Sequence, residues 1–424
     1  MKRLKNLSDK FVSHENAHSA FLNGIEHKKT HPEVRQLWKE GAEEKLPYTQ
    51  NRLELLDQNK VNQLLDGIIN DLVNDCYVHD TPRKKHQFCT SKSKGRLGKW
   101  RDLYCPSLRD HIMHHMLMQV SMPAFMRGMY KYCCGSVPGR GQSYAVKAVT
   151  HWCKDCHDWR YFVILDIRHN FDMIRIEKIQ EALRRKIKDK KILAMHDIVL
   201  KSADRPAPVG YYPSPWYANL ILEPIDHFIM EDLYKVRRGK RLNYVQHMIR
   251  YQDDILMLGN SKRDLEKAIH AVKDKLHRDL GLEIKANWEI KRIAEYDADG
   301  EIVKGTYRIK YIGFSFDRTR TIQMSRNYLS TKRLSHRIYK AKQAGNAVSL
   351  RTCQSLISKV GFASLCDNTR FVEEVNRNFP LDDAKGVISY ASKCGVYSET
   401  TALGSGGRKL LDGDSIQHEH PSND

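Results

Sequence analysis

The sequence predicts an α+β fold in which helical segments flank a mixed region of helices and strands. Amphipathic helical spacing runs through the first part of the chain and returns after about residue 320. Between these parts, apolar β-rich runs are separated by turn signals. A chain of 424 residues can bury a substantial core and is expected to divide into two or three domains or subdomains.

Four parts are expected along the chain. Apolar residues at helical spacing in 53–73 predict helices early in the chain, and the basic segment 80–101 indicates an exposed loop or hairpin. Amphipathic patterns over about 327–344 and 350–365 predict two later helices, and the polar, glycine-rich end from about Thr400 is typical of disorder. The predicted parts are an N-terminal helical region (1–79), a mixed region (80–320), a helical region (321–380) and a partly disordered C-terminal extension (381–424).

The chain is strongly basic. It carries 71 Lys plus Arg against 51 Asp plus Glu, a formal net charge of +20, which favours a polyanionic partner such as nucleic acid. A membrane surface is the alternative, but no apolar run approaches the ~20 residues of a spanning helix. The Lys-rich start also lacks the apolar segment of a signal peptide, so a cytoplasmic protein without a membrane partner is expected.

The ten cysteines are scattered, which predicts reduced thiols rather than a disulfide framework. Cys153 and Cys156 form the only CxxC. A zinc site that also uses His151 or His157 is one interpretation, although a second such pair is missing. Ordinary thiols near a helix end are the alternative.

Acidic residues follow buried-strand patterns at two places. The apolar run 161–165 ends at Asp166, and the next residues lead into a helix predicted over about 175–185. Asp253 and Asp254 lie between two apolar runs within 248–258, which fits a β-hairpin whose tight turn exposes both carboxylates. Adjacent like charges repel, so a divalent metal at the turn would explain them. Each motif taken alone also fits a structural aspartate, at a helix N-terminus or in a plain turn.

Together, the motifs resemble those of bacterial reverse transcriptases. Residues 251–254 form a YxDD box similar to motif C of that family, and Asp166 followed five positions later by Phe171 is similar to motif A. The collinear resemblance covers about residues 80–370. It includes a fingers-like segment (103–117), the loop and helix before motif A (135–149), and segments similar to motif B (208–229), motif D (280–290) and motif E (311–316).

This resemblance implies a right-hand polymerase with fingers, an antiparallel-sheet palm with an RRM-like core and a helical thumb. It implies an RNA-directed DNA polymerase whose catalytic residues are Asp166, Asp253 and Asp254. Two Mg²⁺ ions, with Mn²⁺ as a substitute, would be held by these carboxylates and the carbonyl of Ile167. Loss of any of the three acids is expected to nearly abolish synthesis.

Further roles follow from the same resemblance. Phe171 would exclude a 2′-hydroxyl and Gly210 would allow close backbone approach to template or nucleotide, with a core phenylalanine and a turn glycine as the alternatives. The expected triphosphate ligands are Lys99, Arg101 and Arg109. The expected template and primer contacts are Ser214, Pro215, Gly313, Arg326, Lys332, Arg333, Arg337 and Lys340; for the basic residues a solvated helix face is the alternative.

Two departures from the family pattern bear on the role. Val209-Gly210 stands where many intron-encoded and retroviral-like enzymes have Gln-Gly, which favours the retron, diversity-generating and defence-associated bacterial groups. Asn287 lies near the usual motif D lysine, so Lys285 is a candidate substitute as proton donor.

The leading hypothesis is cDNA synthesis in antiphage defence, from a noncoding RNA template and dNTPs and with a companion protein. The alternatives are the mutagenic polymerase of a diversity-generating retroelement, template-independent or protein-primed synthesis, and an inactive nucleic-acid-binding scaffold. Homo-oligomerisation stays open.

Overall fold

The computed structural model describes residues 3–26, 31–40, 55–89, 99–168, 174–323, 325–343, 348, 350–367, 369–378 and 381–394. The chain divides into two compact units. The first contains the described residues up to Ile312 except Glu40, together with Phe316–Thr319, and the second contains Glu40, Gly313–Ser315 and the described residues from Arg320 onward. Each unit is described by itself below.

Helices dominate the start of the first unit. Asn16 is buried, and its amide donates hydrogen bonds to the carbonyls of Phe11 at 2.9 Å and Met116 at 3.2 Å, which ties the N-terminal helices to a long central one. Asp57 caps the fourth helix by accepting from the Asn59 amide at 2.9 Å. The helices are α1 (Ser8–Phe11), α2 (His14–Ile25), α3 (Pro32–Arg35), α4 (Gln58–Val73) and α5 (Leu108–Met126).

A hairpin of β1 (Arg83–Cys89) and β2 (Lys99–Cys105) lies between α4 and α5, and it pairs Arg83 with Cys105 and Cys89 with Lys99. The hairpin interpretation of the basic segment is therefore confirmed. The described part of this unit also contains the helices α6 (Gln142–Asp155), α7 (Ile176–Lys186), α8 (Lys190–Lys201), α9 (Ser214–His227) and α10 (Lys262–Lys275). Short π-helical turns, Phe228–Asp232 and Leu276–Leu280, extend α9 and α10.

The central sheet has the strand order β10-β9-β3-β7-β6, and β8 also pairs with β3. Its strands are β3 (Tyr161–Arg168), β6 (His247–Tyr251), β7 (Asp254–Gly259), β8 (Glu283–Ile284), β9 (Lys291–Ile293) and β10 (Thr306–Tyr307). Pairing is antiparallel except between β9 and β10. A separate hairpin joins β4 (Tyr234–Arg237) to β5 (Lys240–Asn243). The α+β prediction and the antiparallel character of the central sheet are confirmed.

The chain then forms β11 (Ile309–Tyr311), β12 (Phe314–Phe316) and β13 (Thr321–Gln323). Four helices follow: α11 (Ser325–Gln343), α12 (Leu350–Ala363), α13 (Thr369–Asn378) and α14 (Leu381–Cys394). In the second unit Leu334, Leu356, Val375 and Ala384 belong to one buried apolar cluster.

Both late helices that the amphipathic patterns predict are present. The helical region continues past the predicted limit at residue 380, because Ala384 of α14 packs in the same core as the helices before it. The end of the predicted C-terminal extension, 395–424, lies outside the described residues. None of the described helices combines the length and the hydropathy that crossing a bilayer requires.

Candidate active site

Carboxylates from two distant parts of the sequence converge at one end of the central sheet. Asp166 in β3 is the cross-strand partner of Asp254, the first residue of β7. Directly opposed residues in an antiparallel pair share a face, with Cβ atoms about 4.5–5.5 Å apart. Asp253 immediately precedes Asp254 in the β6–β7 turn, and its carbonyl accepts a hydrogen bond from the Ile167 amide at 3.0 Å. The hairpin that the sequence predicts thus delivers both of its acids to the acid of β3.

Side-chain alternation along β3 explains why Asp166 is accessible. Val163, Leu165 and Ile167 are fully buried on one face of the strand, whereas Ile164 and Asp166 on the other face are partly exposed. A strand with this pattern buries one face in the core and presents the other. Asp166 is therefore held by a rigid, buried strand while its carboxylate remains partly accessible.

Charge repulsion and burial act together on the hairpin acids. Burial raises the pKa of Asp253, Asp166 raises it further, and Lys285 and Arg101 oppose the rise. Burial, followed by the charges of Asp253 and Asp166, raises the pKa of Asp254 to about 6. The protein therefore compensates this negative charge only in part, as is common at functional sites.

Lys285 is the cation in direct contact with the cluster. Its Nζ lies 2.5 Å from Asp166 Oδ2, and its backbone amide donates to the Asp166 carbonyl at 2.9 Å. Within the described part of the chain, the other carboxylate oxygen of Asp166, Oδ1, is buried and accepts no hydrogen bond. A buried orphan oxygen among three carboxylates fits a hard divalent cation such as Mg²⁺ or Mn²⁺, which prefers oxygen ligands.

A buried arginine holds the turn that carries Asp253. Arg250 is fully buried, and its Nε and Nη2 donate to the two carboxylate oxygens of Asp226 at 2.8 and 2.7 Å. Its Nη1 donates to Asn219 Oδ1 at 2.8 Å and to the Gln252 carbonyl at 3.0 Å. Burial alone would lower the pKa of Arg250, but Asp226 raises it above its ordinary value, so the guanidinium stays charged.

Glycine and a left-handed residue complete the tight turn. Gln252 has a φ of +58°, and its side-chain Nε2 donates to Ser136 Oγ at 2.8 Å. A Cβ on Gly135 would lie 2.6 Å from the Gln252 amide nitrogen, so only glycine fits there. Asn219 links the two segments by donating to the Gly135 carbonyl at 2.8 Å.

Tyr311 supports the same hairpin from β11. Its ring is buried, and its hydroxyl donates to the Asp254 carbonyl at 2.9 Å. Burial and the charge of Asp254 raise the pKa of Tyr311 far above its ordinary value, so the hydroxyl keeps its proton and remains a donor. The backbone of Asp254 is thus held by a side chain from outside the hairpin.

The sequence model of the family described as "Reverse transcriptase (RNA-dependent DNA polymerase)" matches residues 83–316, which is more than half of the chain. The chain belongs to the reverse transcriptase family. The family prediction is confirmed, and the matched range contains all three carboxylates and the arginine network around their turn.

A search of curated proteins finds similarity to Protein YkfC of Escherichia coli (strain K12), with 27% identity over 165 residues. The match covers 36% of this chain and 42% of YkfC, so the chain spans less than half the length of that relative. Among solved structures, it is similar to Candida tropicalis telomerase in complex with a TWJ fragment of telomeric RNA, with 9% identity, TM-score 0.42 and coverage of 79% of this chain and 66% of that chain. The corresponding complex from Candida albicans also gives 9% identity and TM-score 0.42, with coverage of 77% and 58%.

In this reverse transcriptase, Arg101 and Arg109, which are expected to bind the nucleotide, lie in different surroundings. Arg101 in β2 is exposed and close enough to lower the pKa of Asp253. Lys99 begins β2, but its side chain lies outside the described residues, as does Phe171 entirely. Of the expected ligands whose side chains the structure describes, Arg101 is therefore the one with an electrostatic link to the carboxylates.

Arg109 has other partners than the expected triphosphate. Its Nη2 lies 2.5 Å from Asp71 Oδ2 and its Nη1 donates to the Val78 carbonyl at 2.9 Å, while its guanidinium stacks on Tyr77 with 4.0 Å to the ring centroid. These partners come from α4 and the segment after it. The structure therefore supports a role for Arg109 in attaching the N-terminal helices, and it does not bring Arg109 to the carboxylates.

Gly210 and Ser214 also make close contacts within the protein. A Cβ on Gly210, whose φ is +114°, would lie 2.3 Å from the Tyr104 carbonyl oxygen. The Ser214 hydroxyl is buried and donates to the Pro208 carbonyl at 2.8 Å. Close approach to β2 is thus a sufficient reason for the glycine, and the serine hydroxyl is not available to a template. Pro215 follows as the second residue of α9.

The remaining expected template contacts lie in the second unit. Gly313 has a φ of +89°, and Arg326 lies in α11 with its side chain outside the described residues. Lys332 is exposed, and its Nζ lies 3.8 Å from Glu374 Oε1. The exposed residues Arg333, Arg337 and Lys340 recur at positions i, i+4 and i+7 of α11 and so share one helix face.

Sequence reasoning missed the residues that hold the turn: Arg250, Asp226, Asn219, Gly135 and Tyr311. One signal was available, because Arg250 stands inside an apolar β-run and a buried charge requires a partner. The identity of that partner, Asp226 in α9, depends on tertiary packing.

Proposed function

We propose that this reverse transcriptase is an RNA-directed DNA polymerase that makes cDNA by nucleotidyl transfer with two Mg²⁺ ions. The observation that carries the proposal is the opposition of Asp166 and Asp254 across β3 and β7, with Asp253 in the adjoining turn. Three partly accessible carboxylates on a rigid sheet, incompletely neutralised by the protein, are suited to hard divalent cations.

In this proposal Asp166, Asp253, Asp254 and the Ile167 carbonyl would hold the ions. Bound Mg²⁺ would lower the pKa of the primer 3′-hydroxyl and neutralise charge on the pyrophosphate leaving group. The protein's own contribution is preorganisation. Arg250 binds the carbonyl of Gln252, next to Asp253, and Tyr311 binds the carbonyl of Asp254, so the backbone of the turn would be held in place before the reaction.

In this proposal two cations serve the incoming nucleotide. Arg101 is exposed and acts electrostatically on Asp253, so a triphosphate held beside that acid would be attracted to its guanidinium. The ammonium of Lys285, in contact with Asp166, is our candidate proton donor to the pyrophosphate. Phe171 remains the proposed residue that excludes a 2′-hydroxyl.

The basic face of α11 is the proposed contact for the template–primer duplex. Arg333, Arg337 and Lys340 are exposed along one side of the helix, and Leu334 and Ile338 are buried on another. Cations on a rigid face bind phosphates by releasing counterions, so binding should weaken steeply as salt rises.

The biological role that we propose is antiphage defence in the cytoplasm, with a structured noncoding RNA as template and a companion protein. Val209-Gly210 in place of the Gln-Gly of many intron-encoded enzymes favours this group. Genomic neighbours discriminate the roles. A companion defence gene or an adjacent noncoding RNA locus supports defence, whereas a target gene with template and variable repeats would replace it with diversification.

The biochemical proposal is tested by primer extension on an RNA template with Mg²⁺ and dNTPs, followed by sequencing of the nucleic acid that co-purifies with the protein. The inactive reference is the double variant Asp253→Asn, Asp254→Asn. The matched control is Asp299→Asn, which removes an exposed acid from the turn before β10. Extension and cDNA in the wild type and the control, but not in the double variant, are expected. Equal yields from all three proteins would refute the proposal.

A further inference from the structure

We propose that Cys156, Asp158 and His247 form a second metal site, with the chemistry of a Zn²⁺ site, at the other end of the central sheet. One potential ligand atom from each residue lies within 4.8 Å of the others. His247 Nε2 is 3.0 Å from Asp158 Oδ1. Thiolate, imidazole and carboxylate are the donors that zinc uses, at about 2.0–2.3 Å from the metal, so its ligand atoms lie roughly 3–4 Å apart. Small side-chain movements would reach that geometry.

Backbone geometry brings the three residues together. The helix α6 ends at Asp155, and Cys156 adopts an extended conformation with φ −105° and ψ 122°. In the segment that follows the helix, Cys156 Sγ and a carboxylate oxygen of Asp158 lie within 4.8 Å of each other. His247 is the first residue of β6 and is opposite Leu258, while Tyr161 at the start of β3 is opposite the neighbouring Gly259.

The site is remote from the three carboxylates. The Asp166–Asp254 pair lies at the far end of the same strands. At ~3.3 Å per residue, the length of β6 separates the two ends by roughly 15 Å. Metal binding at one site can therefore be measured while the other is disabled.

Buried aromatic and cationic groups hold both halves of the cluster in place. Trp159 is fully buried, and its indole donates to the Trp152 carbonyl at 3.0 Å. Arg318 donates to the carbonyl of Cys156 at 2.5 Å and to that of Trp159. The His247 ring stacks on Trp152 with 5.0 Å between centroids and 22° between planes. The Arg318 guanidinium is thus engaged by backbone carbonyls, and the Cys156 and His247 side chains are presented from supported backbone.

This ligand set differs from the zinc site that the CxxC pattern suggested. Cys153 is fully buried in α6 and is not part of the cluster, and His151 pairs with Asp155 at 2.7 Å. The third ligand instead comes from β6, which sequence spacing alone does not bring near Cys156. Three protein ligands leave a fourth position for water or another ligand, as in zinc sites that remain open.

Cobalt(II) provides a direct test, because a cobalt–thiolate bond gives a near-ultraviolet charge-transfer band and tetrahedral cobalt gives strong visible bands. The metal-free full chain is titrated with Co²⁺, and then with Zn²⁺ to displace it. The background is Asp253→Asn, Asp254→Asn, so the carboxylate site does not contribute. We expect saturable bands at one Co²⁺ per chain that Zn²⁺ abolishes.

Variants assign the ligands. Cys156→Ser should remove the charge-transfer band, and His247→Gln and Asp158→Asn should weaken Co²⁺ binding at least about tenfold. Cys76→Ser, which alters an exposed cysteine, should change nothing. Because a variant could fail to fold, the melting temperature of each metal-free protein is measured first, and Zn²⁺ should raise it in the Asp253→Asn, Asp254→Asn background but not when Cys156→Ser is added to that background. Absence of the bands, or their persistence in Cys156→Ser, overturns the proposal and leaves the polymerase proposal unaffected.

Discussion

Two clusters of charge lie around the β6–β7 hairpin, and the protein balances them differently. Arg250 and Asp226 are both fully buried, and their ion pair at 2.7 Å is complete within the protein. Among Asp166, Asp253 and Asp254, Asp166 contacts Lys285, and burial raises the pKa of both hairpin acids. The charges of the first cluster neutralise each other in the folded protein, whereas the second cluster retains net negative charge.

This difference indicates which charges serve the scaffold and which serve the reaction. If one partner of a buried ion pair is removed, the other is left as an uncompensated buried charge, which destabilises the fold. Removing an acid from the incomplete cluster relieves repulsion and so should harm activity while sparing stability. Four substitutions test the distinction.

The largest effect is expected at Asp253. Asp253→Asn keeps the size of the side chain but removes a proposed metal ligand, so the rate of dNTP incorporation should fall by about 10³-fold or more. Steady-state primer extension measures the rate, and chemical denaturation should show no loss of stability. Asp299→Asn is the control, and a variant that keeps a tenth of the wild-type rate would remove Asp253 from the active site.

Arg250→Met, unlike Asp253→Asn, should lower the stability of the fold. It leaves Asp226 buried without its partner, so the free energy of unfolding should fall by about 3–5 kcal/mol. Urea denaturation measures this, and Arg250→Met with Asp226→Leu should recover part of the loss. Arg263→Met, which changes an exposed arginine of α10, should be nearly neutral. If Arg250→Met leaves the free energy of unfolding unchanged, the ion pair of Arg250 with Asp226 does not stabilise the turn.

Asp254→Asn should stabilise the metal-free protein. The folded-state pKa of Asp254 is about 6 against an ordinary 3.8, so ionisation opposes folding increasingly as the pH rises through this range. At pH 7 the variant should gain on the order of 1–2 kcal/mol after allowance for solvent screening, and the gain should vanish near pH 4. Denaturation in a chelator at several pH values checks this. A gain that is independent of pH would contradict the electrostatic cause.

The smallest effect is expected at Arg101. Arg101→Ala removes a cation beside Asp253, so the KM for dNTP should rise by about 3–10-fold with a smaller change in kcat. Arg237→Ala, an exposed arginine of β4, is the matched control. Equal KM values for the two variants would exclude Arg101 from nucleotide binding.

Local patterns predicted the strand of Asp166, the hairpin of Asp253 and Asp254 and the late helices, because strand alternation and helical spacing are written in neighbouring residues. Partners distant in the chain were beyond such patterns. Arg109 was expected at a triphosphate but pairs with Asp71, and Gly210 meets the Tyr104 carbonyl within the protein. These contacts depend on how separate elements pack, which a single sequence does not encode locally.

We infer that the three acids are an incomplete charge cluster which divalent cations would complete. The most direct test of this inference is the free energy of unfolding measured with and without Mg²⁺, in the wild type and in Asp253→Asn. Mg²⁺ is a hard cation and should not bind the site formed by Cys156, Asp158 and His247, because a thiolate is a soft ligand. At a Mg²⁺ concentration a hundredfold above Kd, the free energy of unfolding of the wild type should rise by about 2–3 kcal/mol per bound ion, and that of the variant by much less. Equal gains in both proteins, or none in the wild type, would contradict the account.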